Sequence, residues 1–208
     1  MYVDLHFPVV GTSLASDHGY DLYAALARLV PRLHEETCKI RIGPIRGAYA
    51  GNGLLHLDTR YSRLRLRLTA EEIPLVLQLA GKCLEVGGHR LRVGVPQVRS
   101  VIPAPNLVAR LVTIKGFTEA GPFLEAARRQ LVAMGIRSEP SVPQAIAGPR
   151  AGQSRRRVIR VKDKCIVGFP LMISGLTAES SLALQESGLG GRAKMGCGFF
   201  GVLRSTGS

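Results

Sequence analysis

The sequence predicts an α+β protein built from two consecutive β-α-β-β-α-β units, which is a tandem ferredoxin-like fold. Strand-like alternation and helix-like spacing of apolar residues follow one another in the same order in both halves of the 208-residue chain. That length suits two domains of roughly 100 residues each. A proline-containing stretch from Ile102 to Asn106 separates the halves, so we expect domains at residues 1–102 and 107–204.

In the first half, apolar periodicity and helix-breaking residues define six elements. Leucines at helical spacing predict the first helix, which Pro31 kinks or ends. A capping box formed by Thr69 and Glu72 opens the second helix, and Gly87 and Gly88 follow it. The predicted elements are strands at residues 1–10, 38–47, 54–68 and 89–102, with helices at 20–36 and 69–84.

The second half repeats this order. Pro122 suits the first turn of its first helix, while Thr177 and Gly188 suit the N-cap and the C-terminal glycine of its second. A long Gly-, Pro- and Ser-rich loop precedes a hairpin that turns at Asp163. The predicted elements are a strand at residues 107–115, a helix at 121–134, the loop at 135–154, the hairpin at 155–175, a helix at 177–187 and a strand at 195–204.

The composition points to a polyanionic partner. Lys and Arg number 28 against 15 Asp and Glu, a formal charge of +13, which favours nucleic acid over the alternative of a solvated basic surface. No apolar run is long enough for a membrane span, and the N-terminus reads as a strand, so we expect no membrane partner and a cytoplasmic protein. The four cysteines form no CxxC pair, which argues against zinc and favours buried free thiols.

A glycine-crowded stretch lies between the last predicted helix and the last predicted strand. Five of the eleven residues from Gly188 to Gly198 are glycine. A P-loop is excluded because the chain contains no Gly-Lys-Ser/Thr. A dinucleotide-binding fingerprint must follow a strand and open a helix, whereas this stretch does the reverse. Two interpretations remain open, a backbone surface for RNA phosphates with Arg192 and Lys194 adding charge, and a loop whose glycines serve only packing and positive φ angles.

The eleven residues match the pattern G-h-G-x5-G-h-G, where h is hydrophobic. This stretch resembles the C-terminal glycine-rich motif of the sixth Cas family, the CRISPR-associated endoribonucleases that process precursor CRISPR RNA and belong to the RAMP superfamily. The resemblance covers the whole chain, because tandem RRM-like ferredoxin folds with this loop before the final strand are the architecture of that family.

The resemblance implies a metal-independent endoribonuclease without a cofactor. A ribose 2′-OH of CRISPR repeat RNA would attack the adjacent phosphate and leave a 2′,3′-cyclic phosphate and a 5′-OH, and the enzyme would stay on its product. Other Cas proteins of a guide-RNA effector complex are further expected partners. The alternatives are a non-catalytic RAMP-type subunit that binds guide RNA, and a general basic RNA-binding protein.

Such a reaction needs proton transfer near neutral pH, for which histidine is suited. His6, His56 and His89 fall in or beside predicted strands, which favours structural or surface roles. The other two flank the first predicted helix, where a helix N-terminus would keep His18 neutral and two glutamates would favour protonated His34. Because the resemblance implies a catalytic histidine in or near this helix, often in a Leu-His pair, it favours His34 over His18. If the helix continued through Pro31, two tyrosines would share a polar stripe with His34, so the candidate catalytic residues are His34, His18, Tyr20 and Tyr23.

RNA binding is assigned to cations and to the glycine-rich stretch. A basic hairpin can hold a stem by its phosphates and shape. Arginines alternating with leucines at 63–68 form a second, lesser patch. The candidate RNA-binding residues are Arg155, Arg156, Arg157, Arg160, Lys162 and Lys164 of the hairpin and Gly188, Gly190, Gly191, Arg192, Lys194, Gly196 and Gly198 of the loop.

Overall fold

A computed structural model describes residues 1–144 and 151–203. The chain divides into two compact units. The first comprises Met1–Val101 together with the short segment Lys194–Gly196, and the second begins at Ile102 and resumes at Cys197 after that segment. Residue 204, the end of the expected second domain, lies outside the described residues.

The first unit is centred on a six-stranded antiparallel sheet. Strand β1 lies in the middle and pairs with β6, β8 and β9, and β6 pairs in turn with β3. The order β3-β6-β1-β9 is that of a ferredoxin-like sheet, which confirms the predicted fold class. The elements are β1 (Tyr2–Val10), β2 (Ser13–Ala15), α1 (Gly19–Leu29), β3 (Arg41–Gly43), β4 (Ala48–Gly51), β5 (Leu54–His56), β6 (Arg63–Thr69), α2 (Ile73–Leu77), β7 (Cys83–Val86), β8 (His89–Val93) and β9 (Gln97–Ser100).

Both helices of this unit are shorter than predicted. Helix α1 ends at Leu29, and the proline ring starts a separate 3-10 turn, Pro31–His34, because proline cannot continue the α-helical hydrogen bonding. Helix α2 ends at Leu77, so the second predicted helix is wrong beyond that residue. The last two residues of the predicted helix, Cys83 and Leu84, instead belong to β7, where Leu84 pairs with Leu91 of β8. The strand predicted at residues 89–102 is likewise two strands, β8 and β9, separated by a segment that contains Gly94 and Pro96.

The prediction of a basic surface patch on β6 is also partly wrong. The leucines of this strand are buried as predicted. Arg67, however, is only 2% exposed and forms a bidentate ion pair with Asp4 across the sheet, with N–O distances of 2.7 and 2.8 Å. Arg67 therefore stabilises the sheet and does not belong to a basic surface patch.

The second unit has a sheet of the same order, β11-β13-β10-β14, with β12 paired along the first half of β13. The hairpin turns at Lys162 and Asp163 as predicted. Thr177 caps α4, since its hydroxyl oxygen accepts a hydrogen bond from the Ser180 N–H, and Gly188 ends that helix with φ of +63°. The elements are β10 (Leu107–Val112), α3 (Ala120–Ala133), β11 (Pro140–Ser141), β12 (Arg157–Val161), β13 (Lys164–Ile173), α4 (Ala178–Ser187) and β14 (Phe200–Val202).

Four further expectations can be compared with this unit and with the described residues of the chain. The predicted loop at 135–154 contains β11, and its residues 145–150 lie outside the described part. The last strand is shorter than predicted: Met195 belongs to a 3-10 turn, and Gly196 and Gly198 have positive φ angles, which are incompatible with an extended strand. All four cysteines are free, but only Cys38 and Cys197 are buried, so the expectation of burial is wrong for Cys83 and Cys165. Within the described residues, no helix is long and apolar enough to cross a membrane.

Candidate functional site

Tyr23 and His34 lie in contact on the first unit. The Tyr23 hydroxyl is 2.9 Å from Nδ1 of His34, and the two rings meet edge to face at a centroid distance of 5.6 Å. Helix α1 carries the tyrosine, and the 3-10 turn that follows it ends at the histidine. The helix break at Pro31 therefore does not separate the two side chains, although the predicted stripe required an unbroken helix.

The Tyr23–His34 contact sets the chemistry available to the imidazole. Burial, followed by the influence of Tyr20 and Cys38, raises the pKa of Tyr23, so this hydroxyl is protonated at neutral pH. It can donate to Nδ1, or accept from it in the other tautomer. In both cases Nδ1 is occupied, and Nε2 is the nitrogen that is left for a ligand at this exposed residue.

Lys194 lies on the main chain that carries His34. Its Nζ donates hydrogen bonds to the carbonyl oxygens of Leu33 and Glu35, both at 2.7 Å. These are the residues on either side of His34. Carbonyl groups at the end of a helical turn lack partners within the turn, and a lysine ammonium group is suited to satisfy them.

Two close approaches pack the rest of the segment Lys194–Gly196 within the first unit. Any Cβ at Gly19, the first residue of α1, would overlap the carbonyl oxygen of Met195. Gly196 lies beside Pro44, whose ring and main-chain atoms would be 3.6–3.8 Å from a Cβ at Gly196. Any side chain at Gly19 would therefore collide with Met195. The sequence places this glycine at the start of the first helix but gives no indication of its contact with Met195.

His18 is placed differently from His34. It is 1% exposed, and both ring nitrogens are used within the protein: Nδ1 is 2.7 Å from the carbonyl oxygen of Ala15, and the Ile45 N–H donates to Nε2 at 3.1 Å. This pattern requires a neutral imidazole with the proton on Nδ1. His18 thus joins the start of α1 to the segment that follows β3. Its side chain is too deeply buried to contact RNA in this conformation.

Tyr20, the fourth candidate, is half-buried on α1 three residues before Tyr23. Its proximity contributes to the raised pKa of Tyr23. Among the contacts of the described residues, the one to His34 is made by Tyr23. Tyr20 therefore lies next to this site without a direct part in the Tyr23–His34 pair.

The glycines of the loop are explained mainly by the second unit. Gly188, Gly190, Gly196 and Gly198 all have positive φ angles, and a Cβ at Gly190 would lie 2.5 Å from the carbonyl oxygen of Thr113. Their amides are largely occupied as well. The N–H groups of Gly188, Gly190, Gly191 and Gly198 donate to Leu184, the Gln130 side chain, Thr113 and Leu111, respectively, at 2.8–3.0 Å. These four amides are consequently not positioned to bind phosphate, which favours the packing interpretation of the motif.

The cations of the β12–β13 hairpin are all exposed to solvent. Arg155 and Arg156 precede β12, and Arg157 and Arg160 belong to it. Lys162 lies in the turn, and Lys164 is the first residue of β13. Although Arg157 is exposed overall, partial desolvation and, to a lesser extent, the charge of neighbouring Arg155 lower its pKa. Arg192 of the loop is exposed too, with φ of +62°. The exposed residues are Arg155, Arg156, Arg157, Arg160, Lys162, Lys164 and Arg192.

Comparison with known proteins places the chain in a family. The family model described as "Cas6 Crispr" matches residues 3–204. The chain belongs to the Cas6 family. It is also 40% identical over 200 residues to the CRISPR-associated endonuclease Cas6 of Myxococcus xanthus (strain DK1622), an alignment that covers 96% of this chain and 81% of that relative.

Solved structures share the Cas6-family fold at low sequence identity. One described as "CRISPR associated protein Cas6" superposes with a TM-score of 0.68 at 13% identity, and covers 98% of this chain and 99% of that one. Another, described as "An RAMP protein binding different RNA substrates", gives a TM-score of 0.66 at 13% identity over 98% and 100% of the two chains. The RAMP-type fold expected from the glycine-rich motif is thereby confirmed, and the chain is a member of a family of CRISPR-associated endonucleases.

Proposed function

We propose that this Cas6-family chain is a metal-independent endoribonuclease that cuts CRISPR repeat RNA in precursor CRISPR RNA. In the proposed reaction a ribose 2′-OH loses its proton and attacks the neighbouring phosphorus, and the bond from phosphorus to the 5′-oxygen of the next nucleotide breaks. A proton is then supplied to that oxygen. The products are a 2′,3′-cyclic phosphate and a 5′-OH, so no water is consumed in the cut.

His34 is the proposed proton-transfer residue. The observation that carries this assignment is the Tyr23–His34 contact of 2.9 Å, which holds the ring by Nδ1 at an exposed site and leaves Nε2 for the substrate. Family membership supports nuclease chemistry for this chain. Tyr23 orients the ring and, being protonated, can follow either tautomer of the histidine.

His18 and Tyr20 receive supporting roles in this proposal. The buried His18 ring fixes the residues around Gly19 and Ile45 through its two hydrogen bonds. A variant of His18 would therefore lose stability first and activity as a consequence. Tyr20 lacks the contact with His34 that would give it a direct role, as far as the described residues extend.

RNA binding is proposed for the cationic hairpin and Arg192. The formal charge of +13 supports a polyanionic ligand, and a structural neighbour is described as binding different RNA substrates. Exposed guanidinium and ammonium groups neutralise phosphates and release counterions, which makes binding tight and strongly dependent on salt. Retention of the cut product and assembly with other Cas proteins of a guide-RNA complex complete the proposal.

Metal independence is proposed from the chemistry of the site. A histidine with a tyrosine partner can supply the proton transfers that a metal-bound water would otherwise provide. Within the described residues, no group of three or more His, Cys, Asp or Glu side chains could hold a metal ion.

The test is cleavage of a CRISPR repeat RNA in excess EDTA, with the product ends identified by phosphatase treatment and mass. We expect cutting at one position, a 2′,3′-cyclic phosphate on the upstream fragment and a 5′-OH on the downstream fragment. Binding without cutting would favour the non-catalytic RAMP-type subunit. Equal binding of repeat RNA and unrelated RNA at matched salt would favour a general RNA-binding protein.

A further inference from the structure

The cation of Lys194 has a different environment from the other cation of the glycine-rich loop. Arg192 is exposed, whereas the ammonium group of Lys194 donates two hydrogen bonds of 2.7 Å to the carbonyl oxygens of Leu33 and Glu35. An ammonium group has three N–H donors, and two of them are used here. The residue that these two carbonyls bracket is His34.

Besides Lys194, the backbone around His34 is held by the buried side chain of Leu33 and by local hydrogen bonds of 3.0–3.3 Å. His34 is the last residue of a four-residue 3-10 turn, and residues 34–37 are all exposed. Short 3-10 turns have poor hydrogen-bond geometry and are weakly stable on their own. The Glu35 N–H donates to the Arg32 carbonyl at 3.1 Å, and the Cys38 N–H donates to the Glu35 carbonyl at 3.3 Å. The two bonds from the Lys194 ammonium group are shorter, at 2.7 Å, and come from a distant part of the sequence.

The segment that carries Lys194 is itself fixed in place. Met195 packs its carbonyl group over Gly19, and Gly196 lies against Pro44. The neighbouring residues of that surface, His18 and Ile45, are joined by the buried imidazole hydrogen bond at 3.1 Å. Lys194 thus extends from a closely packed segment to the turn that ends at His34.

We infer that Lys194 is a positioning residue, which fixes the turn of the proton-transfer histidine by binding the carbonyl groups of Leu33 and Glu35, and that phosphate binding in this loop is performed by Arg192. The inference rests on the proposed function for its kinetic part. It also assigns a role to the glycine-rich motif, which places the Lys194 ammonium group beside His34, a residue 160 positions earlier in the sequence.

The experiment compares Lys194→Met with Arg192→Met. Each variant loses one positive charge from the same loop, and methionine preserves most of the length of the lysine side chain. For both, the Kd for an uncleavable repeat RNA carrying a 2′-deoxy nucleotide at the cut site is measured between 50 and 300 mM salt, and the single-turnover cleavage rate is measured at saturating RNA. Circular dichroism melting verifies that each variant is folded.

A positioning role predicts that Lys194→Met cuts about 10- to 100-fold more slowly, because small displacements of a reacting group cost this much. Its Kd and its salt dependence should stay within about twofold of those of the unmodified chain. Arg192→Met should bind more weakly, with the slope of log K against log salt reduced by about 0.7–0.9 for one lost phosphate contact. The inference would be overturned if Lys194→Met cut at the full rate but showed the weaker Kd and smaller slope expected of Arg192→Met. It would also be overturned if Lys194→Met were unchanged in every measurement.

A second readout separates this inference from the nuclease proposal. Amide hydrogen exchange at residues 33–38 of the RNA-free protein should be faster in Lys194→Met and unchanged in Arg192→Met, whether or not the protein cuts RNA. If the unmodified chain cuts no RNA, the proposed function fails while this measurement still tests the attachment of the turn. Unchanged exchange in Lys194→Met would show that the two hydrogen bonds do not hold the turn.

Discussion

The Tyr23–His34 contact makes a quantitative prediction for Tyr23→Phe. The substitution removes one oxygen atom and keeps the ring, so the edge-to-face contact at 5.6 Å remains and the hydrogen bond of 2.9 Å is lost. A neutral hydrogen bond contributes about 1 kcal/mol net, which corresponds to a roughly fivefold lower fraction of the histidine in its reactive orientation. Single-turnover cleavage at saturating RNA should therefore slow about fivefold, with the RNA Kd unchanged.

Further variants dissect the same contact. Tyr23→Ala also removes the ring contact, which is worth about 0.5–1.5 kcal/mol, so the loss should grow to between roughly 10- and 70-fold. Tyr61→Phe is the matched control, because it deletes the hydroxyl of an exposed tyrosine outside the site and should cut at the normal rate. Tyr20→Phe should be much closer to that control than to Tyr23→Phe. Cleavage by Tyr23→Phe at the unmodified rate, or an equal loss in Tyr61→Phe, would refute the orientation argument.

Three other predictions concern RNA binding and stability. The double variant Arg156→Ala/Lys164→Ala should bind repeat RNA more weakly, and its slope of log K against log salt should fall by about 0.7–0.9 for each lost phosphate contact. The charge-matched control Arg90→Ala/Arg92→Ala, on β8, should keep the slope of the unmodified chain in the same titration. Gly190→Ala should lower the free energy of unfolding by about 2 kcal/mol more than Gly53→Ala in urea unfolding. Both glycines have similar positive φ angles, +76° and +73°, so the backbone cost is shared, but only a Cβ at Gly190 would overlap the carbonyl oxygen of Thr113. Equal losses would contradict this prediction. Burial would raise the pKa of Asp4, but the hydrogen bonds from His6 and Arg67 outweigh it and lower the pKa from 3.8 to about 2. This depressed pKa stabilises the fold above pH 3.8, by about 2 kcal/mol, and that contribution should disappear as the pH falls through about 2. Urea unfolding across this range should show the decline in the unmodified chain, and a decline of the same size in Asp4→Asn would assign it to other groups.

The order of elements and the sheet topology could be predicted because they depend on periodicity. Alternating leucines in β6 and the cap at Thr177 are local signals that the tertiary structure did not override. Element boundaries failed where a tertiary contact decided them. The apolar run that includes Leu84 predicts a helix, but the pairing of Leu84 with Leu91 makes it part of β7. The alternation with leucines predicts a surface position for Arg67, and its burial is explained by the ion pair with Asp4, 63 residues away in the sequence.

The candidate site shows the same division. Local sequence identified the first helix and the two histidines beside it, and it could not distinguish them, because burial of His18 depends on Ile45 and exposure of His34 depends on the turn after Pro31. The role of Lys194 is not readable from its own neighbourhood, where a basic residue among glycines suggests phosphate binding. Its hydrogen bonds span 161 and 159 positions to Leu33 and Glu35, a relation that periodicity and motif spacing do not encode.

The most direct measurement of the central claim is single-turnover cleavage of repeat RNA by His34→Ala in EDTA, alongside its Kd for the uncleavable RNA. General acid–base catalysis contributes about 10²–10⁴-fold, so the rate should fall by that factor while the Kd remains that of the unmodified chain. Cleavage by His34→Ala at the unmodified rate would contradict the assignment of proton transfer to this residue, and with it the site built around Tyr23, His34 and Lys194.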